Sequence, residues 1–170
     1  MKKVLALVLA LCMMIPFVAL ADETVKLGQV DYAAHGDKCF AVLTVAVQGD
    51  TIVAAYIDEF QFMDKETAVG VPNSDAGFGT SYPEGKVLAS KRVNTELYSK
   101  NMADHAGSTV ALADNYAAIE AFVTGKTIAE LEAAIEGKDA AQMVDVVSGC
   151  TLVDTLGYVT GLLEAAKSVK

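Results

Sequence analysis

Between residues 145 and 151 the chain reads Asp145-Val146-Val147-Ser148-Gly149-Cys150-Thr151, which gathers a carboxylate, two hydroxyls and a thiol around one glycine. Gly149 allows backbone angles that bulkier residues resist, so a tight exposed turn is predicted here. The stripe Leu156, Val159, Leu163 and Ala166 then predicts a helix directly after it. The first N–H groups of a helix lack partners and its dipole favours an anion, so the Ser148 and Thr151 hydroxyls stand where a phosphate would be met. The same residues also read as a plain helix start, with Thr151 as N-cap and Asp154 three residues on.

Other chemistries find less material. His35 and His105 are the only histidines, and neither has the cysteine or carboxylate spacing of a zinc site. His35 is expected in a solvated turn and His105 near a helix end. No glycine-rich nucleotide loop or serine elbow occurs. The neighbouring carboxylates Asp58/Glu59 and Glu130/Glu132 are expected on solvated faces, and Phe60-Gln61-Phe62-Met63 as strand end and core. Phe78, between Gly77 and Gly79 in a loop, is either a ring contact for a ligand or a plug in the core.

The first residues run Met1-Lys2-Lys3, then apolar from Val4 to Ile15, then Ala19-Leu20-Ala21. That order predicts a secretory signal peptide over residues 1–21, with the functional domain at 22–170. The apolar stretch is short of the about 20 residues that span a bilayer. Lipid anchoring at Cys12 is disfavoured by the bulky Leu11 before it. Removing 21 of 170 residues leaves 149, enough for one domain with a core. Two lysines leave with the signal, so 11 basic residues face 22 acidic ones. Such acidity argues against nucleic acid and anionic lipid surfaces as partners. Cys39 and Cys150 remain as a pair in an oxidising compartment, where they form either a disulfide or two buried thiols. A working dithiol is disfavoured, because they lack the Cys-x-x-Cys layout.

The elements that must position the 145–151 turn are mostly legible. Two apolar runs, Phe40–Val47 and Ile52–Ile57, flank a Gly-Asp tip and predict a hairpin covered at least in part on both faces. Val25–Ala33 predicts a further strand beside it. Helices are predicted around Leu97, Asn101 and Met102 up to Gly107, and over Leu112, Tyr116, Ile119 and Val123 up to Gly125. A capping box at Thr127 and Glu130 opens a third, which Gly137 closes. The fold class is α+β, an antiparallel sheet with a central hairpin packed against C-terminal helices.

The 145–151 run resembles the Asp-x-x-Ser/Thr-Gly-x-Thr motif of extracytoplasmic FMN-binding domains. These are small single-domain proteins secreted by bacteria, related to the flavin-carrying subunits of Rnf and sodium-pumping quinone reductase complexes. The resemblance runs from the hairpin to the C-terminus, and the segment between is similar only in type of structure. It implies an FMN phosphate esterified to Thr151, with Ser148 and Gly149 shaping the turn and Asp145 serving recognition or capping. It further implies a separate exported FMN transferase that draws FMN from FAD with a divalent metal. The chain would then be an electron carrier and not an enzyme, placed between a membrane electron donor and an extracellular acceptor. Family members usually carry alanine or serine where this chain has Cys150. The alternative expectation is a secreted binding module without flavin, in which Cys39 and Cys150 form a structural pair.

Overall fold

The computed structural model describes residues 24–36, 38–74 and 76–169. The expected signal peptide and Cys12 lie outside the described residues. Four antiparallel strands stand in sequence order: β1 (Val25–Tyr32), β2 (Cys39–Gln48), β3 (Thr51–Asp64) and β4 (Lys86–Ser90). Five helices follow: α1 (Thr95–Ala106), α2 (Leu112–Val123), α3 (Ile128–Ile135), α4 (Ala140–Val146) and α5 (Thr155–Lys167). The α+β architecture expected from the sequence is the one observed.

The hairpin of β2 and β3 forms because both runs are β-branched and apolar, and because Gly49 supplies the positive φ of 63° that the tip needs. Along β2 burial alternates, with Cys39, Ala41, Leu43, Val45 and Val47 all turned inward. α5 lies across this inner face, where Leu43, Ile57, Tyr158, Val159 and Leu162 share one core. Among the described residues no helix covers the opposite face: Val42, Thr44 and Ala46 are half-buried, while Phe40 and Phe62 are exposed. Cover at least in part on both faces, expected from the continuous apolar run, is thus full on the inner face and partial on the outer one. On the outer face, Phe40 and Phe60 stack on each other with ring centroids 5.6 Å apart.

Glycines set how closely α5 approaches the sheet. A Cβ at Gly28 of β1 would stand 2.0 Å from the Ala165 carbonyl oxygen, and one at Gly161 of α5 would stand 2.2 Å from Leu43 Cδ1. The free edge of β3 is closed piecewise. Ile52 exchanges backbone hydrogen bonds with the loop after α2, through Lys126 O (2.9 Å) and Gly125 N (2.7 Å). Ile57 N donates to Glu120 of α2 at 2.8 Å, and Arg92 Nε donates to Ile57 O at 2.6 Å. Beyond that point β4 pairs with Phe60–Asp64. These contacts fix α2, and with it the turn that α2 supports, against the sheet.

Three elements were not anticipated. A four-residue 3-10 helix spans Phe78–Ser81, β4 is five residues long, and α4 is seven residues opened by a capping box between Asp139 and Gln142. Among the described residues no helix is long and apolar enough to cross a membrane.

Candidate functional site

Thr151 lies in the segment that joins α4 to α5 and is exposed. Gly149 adopts φ 85°, a left-handed angle that only glycine takes without strain, and Cys150 N donates to Val147 O at 3.1 Å. Together they make the expected tight turn. Its relation to the last helix differs from expectation: α5 begins at Thr155 with Asp154 as N-cap, so Thr151 is neither the N-cap nor a first-turn residue. Leu152 accounts for the offset, since its carbonyl accepts from Thr155 N at 3.1 Å and closes a separate turn before the helix. Asp145 is exposed in the last turn of α4, and Ser148 is exposed in the turn.

What holds Thr151 is α2, not α5. The Oδ1 of Asn115, a residue with 0 % exposure, accepts from Thr151 N at 2.6 Å and from Thr151 Oγ1 at 3.3 Å. Thr151 lines a cleft of about 510 Å³. α1 forms one wall with Tyr98, Asn101, Met102 and His105, and the loop Gly107–Thr109 continues it. The segment Thr151–Asp154 forms the other wall. Lys91, Leu112 and Tyr158 form the floor. At one end His35 pairs with Asp154 through Nδ1 and Oδ2, which ties the β1–β2 loop to the start of α5. His105, in the last turn of α1 as expected, donates from Nδ1 to Asn101 O at 3.0 Å.

Beneath the floor is a buried polar cluster. Glu59, expected on a solvated face, has 0 % exposure, because the register of β3 turns it inward opposite Ala41 while Asp58 points outward. Its carboxylate pairs with Lys91, itself 1 % exposed. It also accepts from Tyr158 Oη at 2.9 Å, Tyr116 Oη at 3.4 Å and Cys39 Sγ at 3.4 Å. Burial alone would lower the Lys91 pKa, but the charge and hydrogen bond of Glu59, with help from Tyr98, raise it above the ordinary lysine value. The ammonium sits 4.5 Å from the centroid of the Tyr98 ring. Lys91 and Tyr158 thus make the floor polar in part, and the Lys91 charge is compensated from beneath by Glu59.

Of the two alternatives for the cysteines, a disulfide or two buried thiols, the structure has the second: both are free and buried. Each thiol has other partners: Cys39 engages Glu59 and Lys91, while Cys150 Sγ lies 3.1 Å from Thr155 Oγ1. Burial, then the charge of Glu59, push the Cys39 thiol up to about 11 against the opposing effect of Lys91. Cys150 is buried under the turn, so its side chain points away from the cleft wall that Thr151 occupies.

Phe78 does not line the cleft. It is 68 % exposed and packs edge-on to Tyr82, which in turn meets Phe62 on the uncovered face of the sheet. Among the described residues no group of three or more histidine, cysteine and acidic side chains could hold a metal ion. The sequence offered no signal for Asn115, and only one for Lys91: the basic pair Lys91-Arg92, one residue after the apolar run Val87-Leu88-Ala89. No family model matches the chain, and no curated protein or solved structure does either.

Proposed function

We propose that this chain is an extracytoplasmic electron carrier with FMN esterified through its phosphate to Thr151 and the isoalloxazine ring seated in the adjoining cleft. The observation that carries the reading is the exposed residue Thr151 lining a cleft of about 510 Å³. Small-molecule sites span roughly 300–1,000 Å³ and combine apolar walls with a few placed polar groups. Met102 supplies apolar wall here and Leu112 apolar floor, Tyr98 an aromatic face, and Asn101, Ser108 and Thr109 polar groups.

Bound flavin supplies the redox chemistry, while the chain sets exposure, hydrogen bonding and local charge. A phosphate tether keeps the cofactor from diffusing away after export. The compensated Glu59–Lys91 pair keeps the floor polar without adding net charge beneath the ring. An FMN transferase loads the carrier, a membrane dehydrogenase reduces it, and an acceptor outside the cell oxidises it. The alternative of a flavin-free module stapled by Cys39 and Cys150 loses its staple, since both thiols are free.

Co-export with an FMN transferase tests the proposal. The mass of the purified protein is expected to rise by one FMN residue, with the yellow colour retained after denaturation and desalting. Thr151→Ala is expected to abolish both. An unchanged wild-type mass with a transferase active on a control acceptor would sink the reading.

A further inference from the structure

We infer that Asn115 is the positioning residue that presents the Thr151 hydroxyl for phosphoryl transfer, an inference that rests on the reading of Thr151 as the FMN acceptor. Its side chain is fully buried on α2, and all four of its hydrogen-bonding positions are used. Nδ2 donates to Val110 O at 3.2 Å and to Ala111 O at 3.0 Å, the carbonyls just ahead of the helix. Those two acceptors fix the amide orientation, because a flipped amide would set its oxygen against two carbonyl oxygens. Oδ1 therefore has to face the turn, where it receives Thr151 N and Thr151 Oγ1.

The consequence for the acceptor oxygen is directional. A hydroxyl that donates inward to Asn115 turns its lone pairs outward, toward the open cleft. In the transfer, Thr151 Oγ1 attacks the FMN-side phosphorus of a flavin dinucleotide, and the new O–P bond forms as the P–O bond to the AMP portion breaks. AMP departs with the bonding electron pair, and the hydroxyl proton, turned from Asn115 toward the cleft as the transferase engages, passes to a base on the transferase. Asn115, a neutral amide, takes no proton. It holds the nucleophile in one rotamer and holds the backbone of the turn at the same time, so the reacting atom is placed before the enzyme arrives. Once the ester has formed, the bond from Thr151 N still ties the loaded turn to α2.

A near-isosteric variant separates this role from simple packing: Asn115→Leu fills the volume but removes both bonds to Thr151. With a flavin dinucleotide and the transferase, Asn115→Leu is expected to lower the saturating rate of Thr151 labelling by about 100-fold. Its KM for the carrier is expected to stay near the wild-type value. A folded Asn115→Leu protein labelled at the wild-type rate overturns the inference. Hydrogen exchange on the unmodified wild-type chain gives a check that needs no variant: the Thr151 amide should exchange more slowly than those of Ser148 and Gly149, and equal rates overturn the inference. A wild-type chain that takes no label at all instead removes the FMN reading itself, and the inference falls with it.

Discussion

Tyr158 Oη donates to Glu59 Oε2 at 2.9 Å, which joins the last helix to the third strand inside the covered face of the sheet. Tyr116 approaches the same carboxylate oxygen from α2, and the Tyr116 and Tyr158 rings meet edge-on with centroids 5.5 Å apart. One carboxylate therefore receives α2, α5 and, through Lys91, the segment after β4. The cleft floor is the outer side of this junction.

Removing one partner from that junction leaves an uncompensated buried charge. Lys91→Met is expected to destabilise the fold by about 3–5 kcal/mol, whereas adding Glu59→Gln to it should recover much of the loss. Urea unfolding of the two single variants and the double variant measures the cycle. A double variant less stable than Lys91→Met would contradict the assignment of Lys91 as the partner of Glu59.

The same cluster makes the fold sensitive to alkali. Burial raises the Tyr116 pKa above that of free tyrosine, and the Glu59 charge adds to it. Burial does the same for Tyr158, with Tyr116 and Glu59 adding to it. Cys39 is pushed up to about 11, and Lys91 is raised. In each case the folded state binds more protons than the unfolded state once the pH exceeds the unfolded pKa, so stability falls as pH rises. For Cys39 that fall begins near its ordinary value of 9.0, and for the tyrosines near 10.0. Melting temperature should therefore drop progressively from about pH 9 upward. The phenolate absorbance of two of the six tyrosines should appear only as the chain unfolds. A melting temperature that holds across this range would contradict the cluster.

Much of this arrangement could be read from residue order, and the part that could not has a physical reason. Gly107, Gly125 and Gly137 were expected to end helices, and each follows one with positive φ, because glycine enters that conformation without a Cβ clash. The capping box at Thr127 is likewise local, and it forms. Asp58 and Glu59 are neighbours of the same type, and strand parity sends them to opposite faces; only the pairing register decides which one is buried. Lys91, Tyr116 and Tyr158 reach Glu59 from distant segments, so no spacing announces them. The turn at Thr151 was legible from Gly149, but its support is Asn115, 36 residues earlier. α4 was missed although Asp139 and Gln142 carry the spacing of a capping box, because seven residues are too few to show a helical period.

Close approach of α5 to the sheet rests on Gly28. Alanine there would bring its Cβ to 2.0 Å from a backbone oxygen, which has no rotamer by which to move aside. Gly28→Ala is expected to cost about 1–3 kcal/mol or more as overpacking. α5 would be shifted outward at its C-terminal end. Gly36→Ala is a useful control for space: nothing stands within 4 Å of a Cβ there, so its cost should come only from the φ of 86°. Chemical denaturation of both variants gives the comparison, and a Gly28→Ala protein as stable as wild type would show that the helix sits further from β1.

Seating of the ring can be separated from its attachment, because Thr151 is on one wall of the cleft and Met102 on the opposite wall. Met102→Trp adds bulk where the isoalloxazine is proposed to lie and leaves the Thr151–Asn115 contact untouched. Labelling by the transferase should then proceed, while the attached flavin is displaced into solvent. Iodide quenching of flavin fluorescence measures that displacement: the wild-type carrier should be shielded, and the Met102→Trp carrier should approach free FMN. Equal quenching of both proteins would mean that the ring lies elsewhere, with only the phosphate held at this site. Loss of labelling would instead mean that the transferase itself enters the cleft between α1 and the turn.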